Sequence, residues 1–87
     1  MYYEAVSVKY IRDYLLEVAF NDGTKGTADF ADYAKRGGIF SDLRDIDFFK
    51  KVFINSDFGV LTWPGDIDIA PETVYVKVTG NPLKQAV

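Results

Sequence analysis

The run Tyr14-Leu15-Leu16-Glu17-Val18-Ala19-Phe20-Asn21-Asp22-Gly23 places Tyr14, Leu16, Val18 and Phe20 on one side of a pleat and Glu17 and Ala19 on the other, then breaks at Asn-Asp-Gly. A period of two sustained over this length marks a half-buried strand, and glycine in the turn takes positive φ without a Cβ clash. The stretch therefore reads as a β-hairpin, with Asp22 and Gly23 as its structural turn and residues 24–29 as the returning strand. On its N-terminal side, residues 5–11 alternate in the same way. Val6, Val8 and Tyr10 face opposite Ser7 and Lys9, and Arg12-Asp13 forms a tight connection between the two runs.

Beyond the hairpin the period changes. Phe30, Tyr33 and Ala34 fall at helical spacing, and Gly37-Gly38 follows Lys35-Arg36 as a stop with cations at the negative end of the dipole. Ser41 is placed to cap a second turn containing Leu43. Asp45 is placed to cap a third, which carries Ile46, Phe48 and Phe49 and ends at Lys50-Lys51. Residues 52–55 and 60–63 are rich in β-branched and aromatic side chains, so Ser56-Asp57-Phe58-Gly59 between them reads as the turn of a second hairpin. Pro64-Gly65 ends it. Ile67 and Ile69 alternate with Asp66 and Asp68 as a brief extended piece, and Pro71 suits the first position of a short helix through Tyr75. The expected fold class is α+β: a small antiparallel β-sheet of two hairpins plus an N-terminal strand, with two or three short helices packed on it. Residues 1–78 are expected to form one α+β domain. Residues 79–87, with Gly80, Pro82 and few anchors, are expected to be a frayed C-terminal tail.

Bulk composition narrows the chemistry. The 87 residues suffice for one domain, and one Trp, six Tyr and seven Phe provide a core without covalent staples. Cysteine is absent, which excludes disulfides, thiolate nucleophiles and cysteine metal sites. Histidine is absent as well, which excludes imidazole-based triads and the usual zinc sites. The start of the chain lacks the basic and apolar pattern of a signal peptide, and no apolar run approaches the about 20 residues that span a bilayer. A cytoplasmic protein without membrane attachment is expected. A net charge of -3 disfavours phosphate-backbone binding, so a nucleic-acid partner is not expected.

The short motifs reduce mostly to structure. Gly37-Gly38 lacks the strand-glycine-helix context of a phosphate loop, and Asp57-Phe58-Gly59 repeats a kinase tripeptide in a chain far too short for a kinase. Asp66, Asp68 and Glu72 form a carboxylate cluster, but the third acidic position of a calcium loop is Ala70 and its glycine is missing, so no metal is expected. Lys35-Arg36 and Lys50-Lys51 are explained by helix ends. Trp63, at a strand end beside a Pro-Gly turn, suits either a core or a contact surface.

In their order, several of these features resemble an uncharacterised bacterial family known as domain of unknown function 2442. The resemblance is carried by Tyr14 to Gly23, Asp29-Phe30, the stretch from Phe40 to Leu43, and Trp63-Pro64-Gly65-Asp66-Ile67-Asp68-Ile69-Ala70-Pro71-Glu72-Thr73-Val74-Tyr75, spanning about positions 5–75. This chain departs from the family pattern in having Asp66-Ile67 between Gly65 and Asp68. The resemblance implies a small α+β domain with no assigned enzyme activity. It also implies a gene often adjacent to a second uncharacterised family, number 4160, in an arrangement similar to a toxin-antitoxin pair. Some members are fused to a helix-turn-helix domain. With few residues after Tyr75, no helix-turn-helix segment is expected here, and no DNA-binding role is expected to carry over.

The functional expectation is a small non-enzymatic protein-interaction domain, the antitoxin-like or accessory half of a two-gene module. Its alternatives are a small carboxylate-dependent enzyme or a nucleic-acid-associated regulator. The expected partner is a protein, in particular a basic one encoded nearby, and a homodimer is expected if the aromatic surface is not fully covered. No catalytic residue, cofactor or metal ligand is assigned. Trp63, Asp66, Asp68, Glu72 and Tyr75 are the expected partner-binding residues, with Trp63 as the contact and the acids as a rim.

Overall fold

The structure is a computed structural model that describes residues 3–80. The expected tail beyond residue 80 lies outside the described residues. The described residues are α+β, with six strands in two three-stranded antiparallel sheets and short helices between and after them. The first sheet consists of β1 (Ala5–Arg12), β2 (Leu15–Phe20) and β3 (Lys25–Asp29), in that order. The second consists of β4 (Phe53–Asn55), β5 (Val60–Trp63) and β6 (Ile67–Ile69), also in chain order. The brief extended piece expected at Ile67 and Ile69 is thus a third strand, paired to β5 through Leu61 with Ile69 and Trp63 with Ile67.

Alternation in β2 works as the sequence pattern requires. Leu16, Val18 and Phe20 are buried, and Ala28 of β3 lies opposite Leu16 on the same inner face. The β2–β3 turn is closed by Gly23, whose φ is +89° and whose N–H donates to the Phe20 carbonyl at 3.0 Å. β1 differs from its expected facing. Its register on β2 slips between Ala5 and Ser7 and again between Tyr10 and Arg12, and each bulge inserts one unpaired residue. Val6 is consequently 58% exposed, and Ala5 takes the inward position beside Val8 and Tyr10. The connection to β2 is one residue later than expected, at Asp13-Tyr14, with Asp13 at φ +49°.

Between the sheets, α1 (Ala31–Arg36) begins at Phe30 and stops at Gly37 as expected. A 3-10 helix (Gly38–Arg44) follows, so Ser41 lies within that helix instead of capping it. In α2 (Ile46–Phe49) the Asp45 side chain accepts a hydrogen bond from the Asp47 N–H at 3.0 Å, as its capping role requires. The last helix, α3 (Pro71–Thr79), runs four residues past Tyr75 and ends at Gly80 in the left-handed conformation. Its β-branched residues are poor helix formers, so tertiary packing sustains it: Val74 is fully buried, and Val78 packs on the core beside Tyr75.

Trp63 belongs to the core. It has no exposed surface, and its indole N–H donates to the Phe49 carbonyl at 2.9 Å. That bond satisfies the only polar atom of the ring and ties the second sheet to α2. Phe30, Phe49, Leu16, Leu43 and Leu61 are equally buried. Each contributes about 1.5 to 3 kcal/mol of burial, which concentrates stability where the two sheets and α2 meet.

Candidate functional site

Both hairpin turns converge on the start of β1. The Asn21 N–H donates to the Glu4 carbonyl at 2.9 Å, and the Ala5 N–H donates to the Gly59 carbonyl at 2.9 Å. The second contact is very close. Gly59 has φ +64°, and a Cβ there would lie 2.5 Å from the Glu4 Cβ and 2.8 Å from its Cα. The residue-56–59 turn can therefore lie against β1 only with glycine at its last position. Its internal order comes from Asn55, whose side chain accepts from the Asp57 N–H at 3.1 Å and whose carbonyl accepts from the Gly59 N–H at 2.8 Å.

This packing leaves an open groove of about 390 Å³ between the turn, the residues before β1 and the first turn of α3. It is lined by Tyr3, Glu4, Asp57, Phe58, Val60, Pro71 and Glu72. Phe58 is 69% exposed. Glu4, Asp57 and Glu72 make no ion pair among the described residues. The groove therefore presents apolar surface together with uncompensated negative charge.

Behind it, Tyr75 fixes α3 to the first hairpin. Its ring lies 4.3 Å from that of Tyr3 and 5.0 Å from that of Phe20, centroid to centroid. Its hydroxyl donates to Asp22 Oδ2 at 2.7 Å and lies 3.1 Å from Thr24 Oγ1. A phenol has one proton, and the carboxylate is the stronger acceptor, so the Thr24 hydroxyl donates to the Tyr75 oxygen. The Tyr75 bond, reinforced by the Thr24 N–H, holds Asp22 below the ordinary aspartate value of 3.8. On Tyr75 the Thr24 bond acts to lower the pKa, but the bond to Asp22, burial and the nearby negative charge outweigh it and raise the phenol above 10.0. A raised phenol holds its proton more firmly and is poorly suited to serve as a base or nucleophile, so this pair is a fastening.

A second groove, of about 340 Å³, is lined by Tyr14, Ala31, Ala34, Lys35 and Arg44. Two of its polar side chains are engaged internally: the Tyr14 hydroxyl donates to the Arg44 carbonyl at 2.6 Å, and Arg44 Nε donates to the Ala34 carbonyl at 3.2 Å. Arg36 lies 4.0 Å over the Tyr33 ring, and Lys50 lies 5.3 Å over that of Tyr10.

Of the residues expected to bind a partner, Glu72 lines the first groove and Tyr75 braces it through Tyr3. Trp63 is in the core and offers no contact surface, which corrects the expectation placed on it: its ring closes one end of the interior between Phe49 and the second sheet. Asp66 sits in the β5–β6 turn at φ +63°, and Asp68 points outward from β6 beside Thr62; neither lines the groove. No group of three or more acidic residues among the described residues is arranged to hold a metal ion. Tyr3, Glu4, Asp57, Phe58, Val60 and Pro71 also line the groove and are not among the expected binding residues. The available signal was Phe58 itself, a large apolar residue in a turn that polar residues fill without it.

Fold and groove together define a small α+β domain with an acidic, partly apolar surface groove. The chain belongs to the family described as a protein of unknown function (DUF2442), whose sequence model matches residues 5–80. No curated protein and no solved structure matches it. Among the described residues, no helix is long and apolar enough to cross a membrane.

Proposed function

We propose that this chain is a non-enzymatic protein-interaction domain of the cytoplasm, the antitoxin-like or accessory half of a two-gene module. The observation that carries this reading is the groove, where 69%-exposed Phe58 stands among three carboxylates that make no ion pair among the described residues. A surface that leaves a large ring in water and its charges uncompensated is stabilised by a complementary partner. Tyr75, beside the groove, has its proton secured by Asp22, which supports binding over catalysis. The test is co-expression with the adjacent gene's product, followed by co-purification and calorimetry. A stoichiometric complex is expected. Two separately eluting proteins would refute the two-gene reading.

Self-association is a second reading, favoured by Val6, Ile11 and Phe53, which the β1 bulges and the outward face of β4 leave more than 40% exposed. Light scattering at micromolar concentration distinguishes a homodimer from a monomer.

A further inference from the structure

Resting on the reading of this chain as an interaction domain, we infer that the groove takes a basic segment of a partner protein that inserts an apolar side chain beside Phe58. The floor and walls supply apolar contact through Tyr3, Phe58, Val60 and Pro71. The rim supplies Glu4, Asp57 and Glu72, each from a different element and none paired to a cation among the described residues. The α3 N-terminus would ordinarily favour an anion, but Pro71 removes one free N–H and Glu72 sets a carboxylate in the first turn. The surface is thus negative, and phosphate backbones and anionic lipids are repelled from it. A small cation alone would leave Phe58 exposed. A lysine- or arginine-flanked leucine or aromatic side chain satisfies both features, and the uncompensated carboxylates speed its encounter. Because Gly59 locks the turn on Glu4, the groove is preformed and its occupant loses little affinity to ordering this side.

The probe is a short synthetic peptide with lysines flanking one leucine, titrated into the isotope-labelled full chain with backbone amide shifts as readout. Matched peptides replace the lysines by glutamate or the leucine by serine. The expected result is saturable shifts centred on Tyr3, Phe58, Val60 and Glu72, salt-sensitive, lost with the glutamate peptide and at least about tenfold weaker with the serine peptide. Phe58→Ser and Glu72→Gln each weaken the binding, whereas Asp66→Asn with Asp68→Asn does not. Shifts centred on Asp66 and Asp68, or scattered over the surface, overturn the inference, as does equal binding of the three peptides. The two readings fail separately. A two-gene partner that binds Phe58→Ser with unchanged affinity removes the groove and leaves the interaction domain, while groove binding of the peptide with no complex from the adjacent gene removes only the two-gene module.

Discussion

The Tyr75 hydroxyl donates a 2.7 Å hydrogen bond to Asp22 Oδ2, joining the last helix to the turn of the first hairpin across 53 residues of chain. Since that bond favours ionised Asp22, the folded state binds this proton less readily than the unfolded chain. The stabilisation is complete above the ordinary value of 3.8 and is lost as pH falls from there through the lower folded value. On the alkaline side Tyr75 acts in the opposite sense. Its folded pKa lies above 10.0, so its contribution is complete below 10.0 and is lost as pH rises through the folded value. Tyr75→Phe is expected to melt below the parent at pH 7, with the gap narrowing at pH 3. Thermal melts at both values check this, and a gap independent of pH would show that the bond contributes nothing through Asp22.

Two glycines separate backbone strain from steric clash. Gly23 has φ +89° with open space where a Cβ would sit, so Gly23→Ala costs about 1 kcal/mol through conformation alone. Gly59 has φ +64°, and its Cβ would collide with Glu4, so Gly59→Ala adds a packing cost and reaches about 2 to 4 kcal/mol. Urea titration of the two variants measures the difference. Equal losses would mean that the turn can move away from β1.

Trp63 is a ready reporter because it is the only tryptophan and has no exposed surface. Native fluorescence should be blue-shifted and resistant to iodide, moving red in one transition on unfolding. Trp63→Ala should cost about 3 to 5 kcal/mol, since it empties the contact with Phe49 and removes the hydrogen bond to its carbonyl. A native spectrum already quenched by iodide would place the ring outside the core.

How far the sequence could be read depended on whether a feature was local. The hairpin at Asn21-Asp22-Gly23, the stop at Gly37 and the Asp45 cap each follow from a few neighbouring residues, and each is present. The alternation places Val6 on the inner face, whereas a bulge shifts the register without changing the alternation of the residues themselves and turns it outward. Trp63 had two adequate readings, and only the position of the Phe49 carbonyl selects one. The sequence suggests a short helix through Tyr75; valine and threonine beyond it are weak helix formers, and packing on the core carries α3 to Thr79. The groove was least legible, since Glu4, Phe58 and Glu72 lie far apart in the chain and meet only through the contacts of Asn21 and Gly59 with the start of β1.

The acidic pair in the β5–β6 region allows a clean control. Asp68 is exposed on the outward face of β6, and Asp66 holds a left-handed conformation that asparagine also tolerates. Asp66→Asn with Asp68→Asn should therefore leave folding unchanged within about 0.5 kcal/mol. A larger loss in denaturant titration would mean that one of the carboxylates contributes to the fold.

Phe58→Ser distinguishes a residue held for folding from one held for contact. With 69% of its surface in water, the ring loses little burial on truncation, and serine is at home in a turn, so stability should stay within about 0.5 kcal/mol of the parent. Partner binding should nevertheless weaken by at least about tenfold, since a buried aromatic anchor accounts for a large share of interface energy. Calorimetric titration of the partner against both proteins, alongside their melting curves, gives the two numbers. A variant that loses stability as well as binding would assign Phe58 to the fold. One that keeps both would leave the exposed ring without a role in recognition.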